Sequence, residues 1–333
     1  MPSSVVVAIP ARNEAERIGA CLAALHAQQG VGRFEIVVLA NNCTDGTEAL
    51  GRQWQDRLPG LRIVSVTLPA HLAHAGEARR RAMAEAAHVS APDGVLLTTD
   101  ADTQAPPQWI ASNLAAITGV DAVAGRAVID PVEARLIPHH LHRMDALEQD
   151  YAALLDEIAA LLTPLQHDPW PRHDEHSGAS IAVRLPAYLA AGGMPKLPTG
   201  EDRAFFDALR RGGALIRHAP EVWVTVSGRL EGRAKGGMAE TIRARIARAP
   251  DWLDDRLEPV EDRICRLLQQ GPVSEPMRRV RMADVLAQIA HAAAIRDRLR
   301  RGDRSVARPV AAAPAARGSD QPPQSTGLAA AFA

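Results

Sequence analysis

The sequence predicts an α/β protein: an open, mostly parallel sheet flanked by helices, followed by a helical C-terminal extension and a disordered tail. Three observations predict it. Short apolar runs at 5–9, 35–39, 61–66 and 95–98 fill the first hundred residues. Each is followed by a helical pattern, and successive runs start roughly thirty residues apart, the length of a βαβ crossover. The runs are also apolar almost throughout rather than alternating, as strands covered on both faces should be.

The elements follow in order. Pro10 ends the first strand, Asn13 or Glu14 opens the first helix, and Ile18, Cys21, Leu22 and Leu25 share its buried face. Thr44 and Asp45 supply an N-cap for the second helix. Residues 75–88 form a third helix whose first turns are crowded with arginines, against the helix dipole. A strand at 122–128, a helix at about 141–162 and a loop rich in Pro, His and Asp at 163–176 come next. Strands at 179–183, 214–217 and 222–226 surround a helix at 201–211, and 251–301 is helical and charged. After Gly302 the composition turns to Ala, Pro, Ser and Gln, which builds no packed core. The organisation read from this is a main domain at 1–245 with halves 1–105 and 106–245, a helical extension at 246–303 and a tail at 304–333.

Composition narrows the function. With 47% hydrophobic but only 3% aromatic residues, the core must be made of Ala, Val, Leu and Ile. Lys and Arg number 38 against 39 Asp and Glu, so no global field draws the chain to nucleic acid or an anionic membrane. The three cysteines, Cys21, Cys43 and Cys265, lie far apart and read as reduced thiols. The most apolar helical stretch, 151–165, is interrupted by Asp156 and Glu157 and is too short to span a bilayer. No basic and apolar leader precedes the first strand, so the expectation is a soluble cytoplasmic protein.

The polar residues that carry chemistry stand at successive strand ends. The first strand runs into Pro10-Ala11-Arg12-Asn13-Glu14 and the second into Ala40-Asn41-Asn42-Cys43-Thr44-Asp45-Gly46-Thr47. The third connection leads into Gly76-Glu77-Ala78-Arg79-Arg80-Arg81, and the fourth strand stops at Thr99-Asp100-Ala101-Asp102. In a parallel sheet such ends converge on one crevice. Asp100 and Asp102 repel each other unless a cation stands before them, and a hard divalent ion that keeps waters and takes phosphate oxygens meets that need.

In this order the segments resemble the family 2 glycosyltransferases of the GT-A fold, over roughly residues 4–240. Gly200-Glu201-Asp202, His176-Ser177-Gly178-Ala179, Ala191-Gly192-Gly193 and Ser227-Gly228-Arg229 extend the resemblance. It implies that Pro10, Arg12, Asn13, Glu14, Asn41 and Asp45 hold the base and ribose of a nucleotide sugar. Asp100 would face ribose and metal, Asp102 would ligate Mg²⁺ or Mn²⁺, and Gly76 and Arg79 would stand near the diphosphate. Asp202 would be the general base of an inverting transfer, with Glu201 positioning acceptor or donor. Residues 1–105 would then be the nucleotide-sugar half and 106–245 the acceptor half.

Two departures bear on the donor and the metal. Asn41 stands where many relatives carry an aspartate, so UDP is the first expectation and GDP stays open. His218 is the candidate for the late histidine that some relatives use as a metal ligand. Arg229, Arg233 and Lys235 form a basic cluster suited to the departing diphosphate or an anionic acceptor, or simply to solvent. The loop holding His167, Asp168, Trp170, Arg172, His173, Asp174 and His176 matches no compact metal motif, and its prolines imply a shaped lid or acceptor wall. The acceptor is unspecified, small or lipid-linked. Two rivals stay open: a sugar-nucleotide pyrophosphorylase-like enzyme, which would want a glycine-rich phosphate loop after the first strand, and a non-catalytic nucleotide-sugar-binding protein.

Overall fold

The computed structural model describes residues 3–232, 236–268 and 278–307. Its frame is a seven-stranded sheet in the order β3-β2-β1-β4-β6-β5-β7. The strands are β1 (Ser3–Ala11), β2 (Glu35–Asn41), β3 (Leu61–Val66), β4 (Ser90–Thr98), β5 (Ala122–Ile129), β6 (Ile181–Arg184) and β7 (Ile216–Val226). β1 to β4 run parallel, β6 runs antiparallel to both β4 and β5, and β7 pairs parallel with β5. The helices are α1 (Ile18–His26), α2 (Thr47–Gln53), α3 (Ala75–Val89), α4 (Trp109–Ala116), α5 (Pro131–Ala134), α6 (His139–Leu162), α7 (Leu185–Ala190), α8 (Glu201–Arg211), α9 (Met238–Ala247), α10 (Val260–Leu268) and α11 (Val285–Arg300).

Strand periodicity divides the core in two. Val5, Val7, Ile9, Ile36, Val38 and Leu97 face α1 and α4, whereas Val6, Ala8, Val37, Leu39 and Leu96 face α3, α7 and α8. All seven residues of β2 are buried, as expected for a strand covered on both faces. A third core joins Tyr151, Leu155 and Ile158 of α6 to Leu253, Val260, Val285 and Ile295, so the C-terminal helices dock on α6. Among the described residues no helix is long and apolar enough to cross a membrane.

The structure corrects several boundaries. Helix α1 starts at Ile18, not at Asn13 or Glu14. Asn13 adopts a left-handed backbone at φ 53°, and a turn carries the chain from Glu14 O to the N–H groups of Arg17 and Ile18. The segments 214–217 and 222–226 belong to one strand, β7. As the edge strand it accommodates Pro220, because a missing N–H there forfeits no ladder bond. The N-cap of the second helix is Gly46, not Thr44 or Asp45; Asp45, one residue before it, accepts from Thr47 N–H at 3.0 Å. Of the tail read at 304–333, residues 308–333 lie outside the described residues.

A buried carboxyl on α6 gives a stability prediction. Asp145 is fully buried, its Oδ2 accepts from Gln149 Nε2 at 2.8 Å, and its Oδ1 has no partner among the described residues. Burial, with Glu148 one turn away, pushes its carboxyl up to about 8. The folded state therefore retains a proton that the unfolded chain sheds near pH 4, and this group costs stability progressively from about pH 4 to about pH 8. Asp145→Asn does not titrate. Its unfolding free energy from urea titration should exceed that of wild type at pH 8 by about 1–3 kcal/mol, and the gap should close toward pH 4. A gap independent of pH would contradict the assignment.

Candidate active site

The chain lays β2 and β3 on one side of β1 and then places β4 on the other, and a crevice opens where the order reverses. Here it is a cleft of about 350 Å³ lined from the strand ends by Pro10, Arg12, Glu14, Asn41, Asp100 and Asp102. Residues from the later half close it, among them Gly178, Glu201, Asp202, Ser227 and Arg229.

The first two loops are cross-braced. Asn13 Oδ1 accepts from Thr44 N at 2.8 Å, and Asp45 Oδ2 accepts from Ala15 N at 3.0 Å. Asp45 Oδ1 also takes the Thr47 hydroxyl at 2.5 Å, so Asp45 and Asn13 hold loop to loop and neither lines the cleft. Hydrogen bonds to Thr47 and Ala15 hold the Asp45 carboxyl below its ordinary range against the cost of burial. Asn42, left-handed at φ 49°, is strapped to Leu68 through both side-chain amide atoms. Its neighbour Asn41 does face the cleft. It is 1% exposed, and its Oδ1 has no hydrogen-bond partner among the described residues. Arg12 Nη1 donates to Ala73 O at 2.5 Å, tying the first loop to the approach of α3.

Arg79 resolves the misplaced arginines. Its buried guanidinium donates to Asp100 Oδ1 at 2.7 Å, Glu201 Oε1 at 3.0 Å, Thr98 Oγ1 at 3.1 Å and Gly178 O at 2.7 Å. It is thus committed to protein partners and joins β4, α8 and the loop before β6. Arg80 and Arg81 lie further along the helix, and both clamp Glu77. Two glycines make room for this. A Cβ on Gly178 would sit 2.6 Å from Arg79 Cζ, and one on Gly76 would sit 1.9 Å from Leu197 O. Gly76 therefore serves the passage of α3 beneath the 197 loop. Glu201 is buried and bound to Arg79, through which it acts on Asp100.

Asp102 faces the opposite wall. Arg229 Nη2 lies 3.1 Å from Asp102 Oδ2 and grips Glu14 through both guanidinium nitrogens at 2.5 and 2.7 Å. Burial, Asp100 and Glu14 push the Asp102 carboxyl up to about 7 despite Arg229. Four carboxylates, Glu14, Asp100, Asp102 and Glu201, thus share two guanidiniums, Arg79 and Arg229. The excess negative charge sits on hard oxygen donors, which suits a hard divalent cation. Asp102 and the Asp100 oxygen turned away from Arg79 are the donors that fit it. Cys21 lies behind them with burial pushing its thiol up, so it stays a neutral packing group.

Asp202, in the first turn of α8, lines the cleft and accepts from Gly178 N at 2.9 Å through Oδ2. A residue the sequence reading passed over, Glu133, positions the loop after β7. It accepts from Ser227 Oγ at 2.8 Å and Gly228 N at 2.6 Å while pairing with Arg17 at 2.7 Å. Its only sequence signal is Asp130-Pro131, a helix start beside a strand end. His218 Nδ1 lies 2.8 Å from Asp168 Oδ2 and its Nε2 3.2 Å from His176 Nε2, so the ring belongs to the His176 cluster; the late group that reaches Asp102 is Arg229. Arg233 and Lys235 lie outside the described residues.

A switch-point cleft on this mixed sheet, bounded by an Asp-Ala-Asp strand end, defines a GT-A type of glycosyltransferase fold. Residues 6–173, about half of the chain, match the model of the family described as glycosyl transferase family 2, and the chain belongs to that family. No curated protein matches it. Among solved structures it is similar to S. aureus TarS 1-349 in complex with UDP-GlcNAc, with TM-score 0.49 and 16% identity over 87% of this chain and 72% of that one. It is also similar to the mannosyltransferase PcManGT of Pyrobaculum calidifontis in complex with GDP-Man and Mn²⁺, with TM-score 0.48 and 18% identity over 92% and 76%. A third likeness is to Mycobacterium tuberculosis glucosyl-3-phosphoglycerate synthase in complex with Mn²⁺, UDP-glucose and phosphoglyceric acid, with TM-score 0.42 and 19% identity over 73% and 78%.

Proposed function

We propose that this glycosyltransferase moves a sugar from a UDP-sugar to an acceptor hydroxyl, with inversion at the sugar carbon and Asp202 as base. The observation that carries the reading is the uncompensated charge at the strand ends, four carboxylates against two guanidiniums, beside a nucleotide-sized cleft. A divalent cation, Mg²⁺ or Mn²⁺, bound there supplies Lewis-acid stabilisation of the departing diphosphate.

The chain's own residues do the rest. Asn41 offers its free amide oxygen to a base N–H, a match for the imide of uracil; a guanine N–H is the alternative. Pro10 and Arg12 form the wall of the base and ribose pocket, with Arg12 held in place by Ala73 O. Asp100, fixed by Arg79, faces the ribose and the diphosphate. Arg229 swings between its carboxylate partners and the leaving diphosphate, whose charge draws a guanidinium. Asp202 is held by Gly178 N–H through Oδ2 and takes the acceptor proton on a carboxylate oxygen as the hydroxyl attacks. The acceptor is small or lipid-linked and presented at the open side of the cleft. The three free thiols fit work in the cytoplasm.

Calorimetric titration with UDP and Mn²⁺ tests the reading. Wild type should bind UDP only with the metal, and Asp102→Ala should weaken that binding on the order of 100-fold, the loss of several kcal/mol of charge stabilisation. Unchanged, metal-independent UDP binding in the variant overturns the assignment, and tighter binding of GDP moves it to the other nucleotide. Incubation with sugar nucleotides should then release nucleoside diphosphate. Release of pyrophosphate from a nucleoside triphosphate and a sugar phosphate would identify a pyrophosphorylase instead.

A further inference from the structure

The histidine-rich loop before β6 brings together residues that the transfer chemistry leaves unused. His176 on that loop and His218 on β7 turn their Nε2 atoms toward each other at 3.2 Å. Both point at one cation already, because Arg210 Nη2 lies 2.8 Å from His176 Nε2 and 3.3 Å from His218 Nε2. An arginine has no acceptor, so both nitrogens present lone pairs to the same place. The tautomer of His218 is fixed from behind: Asp168, buried and also bound to Arg217 Nη1 at 3.0 Å, takes the Nδ1 proton at 2.8 Å. A carboxylate behind an imidazole is the arrangement that orients metal-binding histidines and raises their basicity.

Asp174 supplies a third donor. One carboxylate oxygen of Asp174 and one ring nitrogen from each histidine lie within 4.8 Å of one another. Arg263 stands 3.8 Å from the Asp174 carboxylate, and no hydrogen bond to that carboxylate is present among the described residues. The spacing of the nitrogens decides the kind of ion. Two imidazole nitrogens at about 2.0–2.1 Å from a tetrahedral zinc lie about 3.3 Å apart, close to the 3.2 Å found here.

We propose that Asp174, His176 and His218 form a second cation site, for Zn²⁺ or a similar borderline ion, in which Arg210 is the displaceable occupant. Arg210 is 40% exposed and its other nitrogen pairs with the exposed Asp207, so it can swing to solvent without breaking a buried contact. Two nitrogens and one oxygen distinguish the site from the all-oxygen corner at Asp100 and Asp102, which favours harder ions. Three protein ligands leave a fourth position for water or an acceptor group. The site borders the reacting centre: His176 lines the cleft, and two residues on, Gly178 N–H holds Asp202. An ion here would anchor the acceptor-side wall.

The test uses the untagged full-length chain, stripped with EDTA and titrated with Zn²⁺ in the absence of nucleotide. Wild type should bind one Zn²⁺ that persists in Asp102→Ala, and Arg210→Ala should bind it about 10-fold more tightly because the competing cation is gone. His176→Ala with His218→Gln should lose binding by at least about 100-fold, more than removing a group that only orients a ligand costs. Co²⁺ added in place of Zn²⁺ should give intense visible absorption from a tetrahedral nitrogen-containing site, lost in the same double variant. Stoichiometric Zn²⁺ binding that survives the double variant, or none by either wild type or Arg210→Ala, overturns the proposal. Because Arg210→Ala gains affinity, the answer does not depend on the double variant folding.

Discussion

Arg79→Met is expected to lower stability by about 3–5 kcal/mol and to abolish metal-dependent UDP binding. The energetic argument rests on what the substitution leaves behind. Arg79 lies buried with Asp100 at 2.7 Å and Glu201 at 3.0 Å, and Glu201 is itself almost out of solvent. Removing one partner of a buried pair leaves an uncompensated charge, which costs about 3–5 kcal/mol, more than the pair itself contributes over an apolar replacement. Thr98 Oγ1 and Gly178 O lose a donor as well. Lysine is no remedy, because a single ammonium cannot reach four acceptors set around a planar guanidinium. The cause can be separated from lost packing by adding Glu201→Gln to Arg79→Met. If stranded charge dominates, the double variant should recover about half of the loss in urea denaturation. An Arg79→Met protein within about 1 kcal/mol of wild type would refute the account.

The same residue shows where sequence reasoning stops. Periodicity exposes the first four strands and the face of α1, because burial on both sides of a sheet and on one side of a helix leaves regular marks. It also brings Asp100 and Asp102 to a strand end, since a parallel sheet sends every such end to one side. Arg79 is different: an arginine early in a helix looks electrostatically wrong until Asp100 and Glu201, 21 and 122 residues away, are placed against it. Glu14 and Arg229 meet across 215 residues, and no spacing rule links them. Strand direction is equally silent, because the four residues of β6 pack alike whichever way they run. Asp156 and Glu157 read as interruptions of an apolar helix, yet both are buried on α6, and Glu157 accepts from Arg300 of α11 at 2.5 Å. Buried charge is set by partners distant in the chain, and composition carries no trace of them.

Asp202→Asn is expected to slow transfer by about 10²–10⁴-fold, the range that a positioned general base contributes, while leaving Mn²⁺-dependent UDP affinity within about 2-fold. Asparagine has the shape of aspartate, and its amide oxygen can still accept from Gly178 N, so the wall of the cleft should keep its form; only the bond from Arg203 N to Oδ1 at 2.8 Å is given up, by an N–H in the first turn of α8. What it cannot do is take a proton from the attacking hydroxyl. The loss should therefore fall on kcat, with the donor KM little changed. A structural role would read differently, as a lowered melting temperature or weakened donor binding. The measurement needs a donor and acceptor that support nucleoside diphosphate release in wild type; failing an acceptor, the slow transfer to water serves, since it too demands removal of a proton. Asp202→Ala adds a control, because it strands both Gly178 N and Arg203 N and should lose more stability than Asp202→Asn. Full transfer by Asp202→Asn would move the base elsewhere in the cleft.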